Sequence, residues 1–121
     1  MPNRVVEFQI ISKDPDATAT FYTGLFGWSI NAANAMGYRR VESGGGAGGA
    51  GIGGGIWPAP PQAPNFVQLF IAVEDVAATI RAAEALGGRV IIPTTMLPEG
   101  DEMAILHDPQ GISFGICRRA R

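Results

Sequence analysis

Two residue types that carry much of protein chemistry are almost missing from this 121-residue chain, which has 1 cysteine and 1 histidine. A lone thiol, Cys117, cannot close an intrachain disulfide, which points to a reducing, cytoplasmic setting. An excess of basic charge is missing too. Lys plus Arg is 9 against 11 for Asp plus Glu, a net charge of -2. Nucleic acid and anionic membrane surfaces call for basic patches, so neither is an expected partner. The Arg118, Arg119, Arg121 tail is read as a solvated terminus. No window supplies the roughly 18 apolar residues of a membrane span. The opening MPNRVVEFQI lacks the apolar core and cleavage site of a secretory signal. Aromatics make up only 8% of the chain, so an aromatic-lined cavity must draw on Trp28, Tyr38, Trp57, Phe66 and Phe70.

What the chain does have is a repeat. Shifting it by 61 residues superposes Val6 on Val67, Ile10 on Ile71, Asp14 on Asp75, Thr18 on Thr79, Leu25 on Leu86 and Gly27 on Gly88. The same shift places Gly54 on Gly115. One domain spanning 1–121 is expected, built from modules 1–57 and 65–121 joined by a Pro-rich linker at 58–64.

Each half opens with a strand. In VVEFQII, alternation puts Val6, Phe8 and Ile10 on one face and Glu7 and Gln9 on the other. In FVQLFIAV, Gln68 and Phe70 match Glu7 and Gln9. The apolar face should meet a helix. Asp14 and Asp75 are N-caps, and Pro15 suits a first helical position. Ala17, Phe21 and Leu25 form a core stripe in the first helix. Val76, Ile80, Ala83 and Leu86 do so in the second. Three short strands should follow each helix, near 28–33, 37–42 and 51–57, then near 89–92, 102–107 and 112–117. Asp108-Pro109-Gln110-Gly111 is a β-turn between the last two.

The spacing of Glu7, Asp14, Phe21 and Tyr22, LFGW at 25–28, VEDV at 73–76, LGG at 86–88 and HDPQGISFGI at 107–116 resembles the vicinal oxygen chelate superfamily. That superfamily includes glyoxalase I, bleomycin-resistance proteins and extradiol dioxygenases. The resemblance implies an α+β fold, two tandem β-α-β-β-β modules forming a curled mixed sheet around a cup. It also implies a homodimer. In metal-using members four side chains enter the cup, one from the first and one from the last strand of each module.

Counting along the family's spacing puts those positions here at Glu7, Gly54, Gln68 and Gly115. Two glycines donate nothing, whereas a catalytic metal typically keeps three protein ligands. The expected cofactor is therefore none. The alternative is a hard cation held by Glu7, Gln68 and water. Glu7 and Gln68 are the candidate catalytic pair, with Glu7 as general base or anchor and Gln68 orienting a carbonyl or amide. Read structurally instead, Glu7 accepts a hydrogen bond from Gln68 or Arg40, or opens to water. Gln9, Gly54, Phe70, Gly115 and Trp57 are the candidate lining of a small-molecule cavity.

Other features add less. Gly49 to Gly54 satisfies G-x-G-x-x-G, but no helix follows to receive a pyrophosphate. The stretch Ser43 to Gly55 instead reads as a loop and then a Gly-rich strand that leaves cavity volume. Cys117 has no base partner in sight and reads as a packed thiol. Three functions follow. The first is a metal-independent small-molecule binder or enzyme of glyoxalase or bleomycin-resistance type. The second is a metal-dependent lyase, isomerase or dioxygenase. The third is a non-catalytic dimeric binding module.

Overall fold

Asp14 and Asp75 start the two helices as their chemistry requires. Each side chain accepts from the backbone amide three residues on, at 3.1 Å from Ala17 and 2.9 Å from Ala78. The computed structural model describes residues 2–33, 38–43 and 51–120. Its elements in chain order are β1 (Val5–Ser12), α1 (Pro15–Phe26), β2 (Ser29–Asn31), β3 (Arg39–Glu42), β4 (Gly53–Pro58), β5 (Phe66–Ala72), α2 (Val76–Ala85), β6 (Arg89–Met96), β7 (Glu102–His107) and β8 (Ser113–Arg118). The order is β-α-β-β-β twice, an α+β arrangement. The start of the expected 37–42 strand and the loop residues 44–50 lie outside the described residues.

Two compact units are present, Glu7–Gln68 and Met1–Val6 with Leu69–Arg121. Within the first, the strand order is β2-β3-β4-β1, with β1 parallel to β4 and the other pairs antiparallel. Within the second it is β5-β8-β7-β6, with β5 parallel to β8 and the rest antiparallel. A parallel pair needs a crossover, and each helix supplies part of one.

α1 ends on Gly27, whose φ of 71° is the left-handed conformation glycine adopts without cost. The Asp108 turn closes with Gly111 donating to the Asp108 carbonyl at 2.9 Å. The Asp108 carboxylate also accepts from the amides of Gln110 and Ile112.

Three expectations need correction. β6 runs on to Met96 rather than stopping at 92, because the ladder tolerates Pro93 at a register shift between Ile92 and Thr95. Pro58 closes β4, paired beside Ser12, instead of opening the linker. The third concerns α1. Phe21 and Leu25 are each 59% exposed, and no α1 residue is fully buried. Tyr22 stacks on Trp28 with centroids 5.1 Å apart, and Phe8 meets Trp28 at 5.7 Å. Aromatic contact has turned the helix onto its Tyr22 side, where periodicity pointed to Phe21. In α2 the stripe packs as expected, with Val76 buried and Ile80 and Ala83 against it, while Leu86 stays exposed.

Candidate functional site

Alternation along β1 separates two environments. Phe8 faces the α1 aromatics, as its ring contact with Trp28 shows. Glu7 and Gln9 face the other way. In the parallel pairing of β1 and β4, Gln9 lies beside Gly55 and Phe8 beside Gly54. Gly54 therefore sits on the Phe8 face. A Cβ there would lie 2.7 Å from the Phe8 ring.

Gly54 is thus corrected to Gly55 as the glycine on the polar face. In the second unit Gly115 pairs with Phe70, the counterpart of Gln9. Gly55 is accordingly the register twin of Gly115, and the repeat runs at 60 residues in the last strand. The dipeptide Gly-Ile at 55–56 and 115–116 was the available signal. The 61-residue identity of Gly54 and Gly115 masked it.

Each of these glycines has an aromatic ring over it. A Cβ at Gly55 would fall 1.7 Å from the Tyr38 hydroxyl, and one at Gly115 would fall 2.5 Å from the Phe70 ring. The side-chain space of both last-strand positions is already filled. Phe70 belongs to a buried cluster with Ile105 and Cys117, packed by Val6 and Met103. Cys117 is a buried thiol.

The polar face of the first unit carries a chain of hydrogen bonds. Gln68, 4% exposed, donates from Nε2 to Gln9 Oε1 at 2.5 Å. Gln9 donates from Nε2 to Tyr38 Oη at 3.4 Å. Tyr38 meets Trp57 with ring centroids 5.6 Å apart. Arg40 lies beside Gly55 in the β3–β4 register, so it shares this face. Gln68, Gln9, Tyr38 and Trp57 are therefore brought together. Glu7 adds its charge to the same phenol. Tyr38 and Arg40 are the residues that periodicity alone undervalued, because β3 is short and its start is not marked by alternation.

Two further candidates lie elsewhere. Trp28 belongs to the α1 aromatic cluster. Phe66 lines a groove of about 470 Å³ with Ile10, Ile11, Phe21, Tyr22 and Val67. That groove shares no residue with the amide chain.

Burial pushes the Tyr38 phenol up from 10.0 to about 12, and the Glu7 charge adds to the rise. The Gln9 hydrogen bond and Arg40 oppose it. The folded chain thus holds this proton more tightly than the unfolded chain. The resulting stabilisation, roughly 3 kcal/mol, is complete below the unfolded phenol range and is lost as pH climbs through the folded value. Alkaline unfolding should therefore show a loss of stability between pH 10 and about 12 that Tyr38→Phe removes. Equal slopes in parent and variant would refute it.

The metal that the superfamily implies does not fit these residues. The four positions hold Glu7, Gln68 and two ring-covered glycines. Among the described residues no group of three His, Cys, Asp or Glu side chains could hold an ion.

Paired β-α-β-β-β units with a parallel first and last strand define a scaffold of the vicinal oxygen chelate class. The chain belongs to the glyoxalase-like domain family, which it matches over residues 6–117. It is 33% identical over 115 residues to CFP32 of Mycobacterium bovis, provisionally assigned as a glyoxylase; the match covers 93% of this chain and 42% of CFP32. It is 32% identical over 132 residues to the anthracycline biosynthesis protein DnrV of Streptomyces peucetius, covering 98% of this chain and 48% of DnrV. The chain thus spans less than half the length of these curated relatives. Among solved structures, a methylmalonyl-CoA epimerase variant from Streptomyces coelicolor, in complex with 2-nitronate-propionyl-CoA, superposes with a TM-score of 0.68 at 18% identity, covering 100% of both chains. A Bacillus halodurans protein superposes at 0.71 and 14% identity, covering 100% of this chain and 97% of its own. No helix among the described residues is long and apolar enough to cross a membrane.

Proposed function

We propose that the chain binds a small, planar, oxygen-bearing organic molecule on the Glu7–Gln9 face without a bound metal. One observation carries this reading, the half-buried amide chain from Gln68 through Gln9 to Tyr38 beside the Trp57 ring. Ordered amides beside aromatic walls are what a small-molecule site uses to fix orientation. In this reading Gln68 is a positioning residue, since its amide is spent on Gln9. Gln9, Tyr38 and Trp57 touch the ligand. Where the bound molecule is transformed, Glu7 accepts the proton.

The competing reading is a metal-dependent lyase, isomerase or dioxygenase. It requires tight divalent-ion binding. Protein purified without chelator should contain no stoichiometric metal, and Mn, Ni, Zn or Fe should leave its melting temperature unchanged. One bound ion per chain, with a matching thermal shift, would overturn the proposal.

A further inference from the structure

The two helices do not meet their strands in the same way. α2 buries Val76, and Val73 and Ala83 pack with it into a core that includes Leu106 and Ile116. α1 buries no residue. Under the 61-residue shift, Ser12 stands where the second module has Val73, and Tyr22 stands where it has Ala83. A hydroxyl replaces an isopropyl group, and a ring stacked on Trp28 replaces a methyl group. The place that is filled in the second unit is a groove of about 470 Å³ in the first. Small-molecule sites span roughly 300–1,000 Å³.

The groove has an apolar end at Ile10, Phe21, Tyr22 and Val67, and a polar end at Ser12, Thr18 and Asn65. Ser12 is buried. Its Oγ accepts from the Asp14 amide at 3.0 Å and lies 2.6 Å from the Thr18 hydroxyl. A buried hydroxyl proton needs an acceptor, and for Ser12 that is Thr18 Oγ1. Thr18 then keeps its own proton for the groove. Its repeat twin Thr79 spends the same proton on the Asp75 carbonyl, at 2.8 Å. Asn65 accepts from the Lys13 amide at 2.8 Å, so what it can offer a ligand is its N–H₂ end. Both groups therefore present donors. All the lining residues are uncharged. A carboxylate would shed its water there with no cation to replace it. The Asp14 carboxylate, already bonded to the Ala17 amide at the start of α1, would repel it.

We propose that this groove is a second binding site, for an uncharged amphiphile whose apolar body carries one acceptor oxygen read by Thr18 and Asn65. It stands independently of the Glu7–Gln9 face.

The test titrates octan-1-ol and octanoate into the isotope-labelled full chain at neutral pH and follows NMR shifts. The two probes share a tail and differ in charge. Octan-1-ol should move the backbone signals of Thr18, Phe21 and Val67 and the Asn65 side-chain amide, and leave the Gln9 and Gln68 amides in place. Octanoate should bind at least about tenfold more weakly. Thr18→Val keeps the side-chain shape and should weaken octan-1-ol about fivefold, the worth of one neutral hydrogen bond. Asn65→Asp keeps an oxygen for the Lys13 amide, loses the donor and should weaken it likewise. Ala17→Leu fills the groove and should abolish the shifts. Melting temperatures confirm that each variant is folded. Equal affinity for the two probes, shifts that survive Ala17→Leu, or full affinity in both Thr18→Val and Asn65→Asp would overturn the proposal. So would a dimer in sedimentation velocity that Ala17→Leu dissociates and octan-1-ol does not, because a second copy would then be the occupant.

Discussion

Alanine at Gly115 is expected to lower the melting temperature by roughly 5–10 °C. The added methyl would lie 2.5 Å from the Phe70 ring, well inside van der Waals contact. Phe70 is 4% exposed and boxed in by Ile105, Cys117, Val6 and Met103, so the ring has nowhere to turn. Overpacking of this kind costs about 1–3 kcal/mol. The remedy is specific. Phe70→Leu shortens the ring's reach and should offset part of the loss, so the double variant will be more stable than the sum of the two single effects. Calorimetry on the four proteins reads the coupling. Strict additivity would mean that the ring does not occupy the position-115 space.

The second large effect is at Gln68. Leucine there removes the donor to Gln9 from a residue that is 4% exposed. It leaves the Gln9 carbonyl oxygen short of a partner, at a cost of about 1–3 kcal/mol. Replacing both residues, Gln9→Leu with Gln68→Leu, removes donor and acceptor together. That double variant should recover most of the stability lost in Gln68→Leu while losing ligand binding altogether. Urea unfolding measures the first half and a probe titration the second. A double variant less stable than either single one would show that the two amides do not depend on each other.

Gln68 shows how far the sequence could be read. Its place on the face opposite Val67 and Leu69 was visible in the alternation of FVQLFIAV, as were the helix starts at Asp14 and Asp75 and the turn at Asp108, but the burial was not: Gln68 is 4% exposed, whereas Val67 and Leu69, expected against a helix, are 63% and 46% exposed. Such features depend on a residue and its near neighbours. What was not legible depends on lateral register. Gly54 and Gly55 have the same side chain, and only the pairing of β4 with β1 decides which one stands beside Gln9. A one-residue difference between the two modules moved that position across the sheet, as a slip of one always does. The α1 stripe failed for a related reason. Spacing defined an apolar face of the helix, but Tyr22 on Trp28 set which face turns inward. Tyr38 was one aromatic among several, since it precedes β3 and only its side-chain geometry lays its ring over Gly55. That placement also changes what the glycines mean. They are seats for two rings, and the room a ligand carboxylate or imidazole would need is already taken.

The most direct test of metal-free binding on this face is an NMR titration of EDTA-treated protein with 1-indanone. The account predicts that the side-chain amide signals of Gln9 and Gln68 and the Trp57 indole signal move together in the absence of metal. Addition of Mn, Ni, Zn or Fe should leave the affinity unchanged. Binding that appears only after a metal is restored, or that moves the α1 groove around Phe66 and Phe21 and leaves these three signals in place, would contradict it.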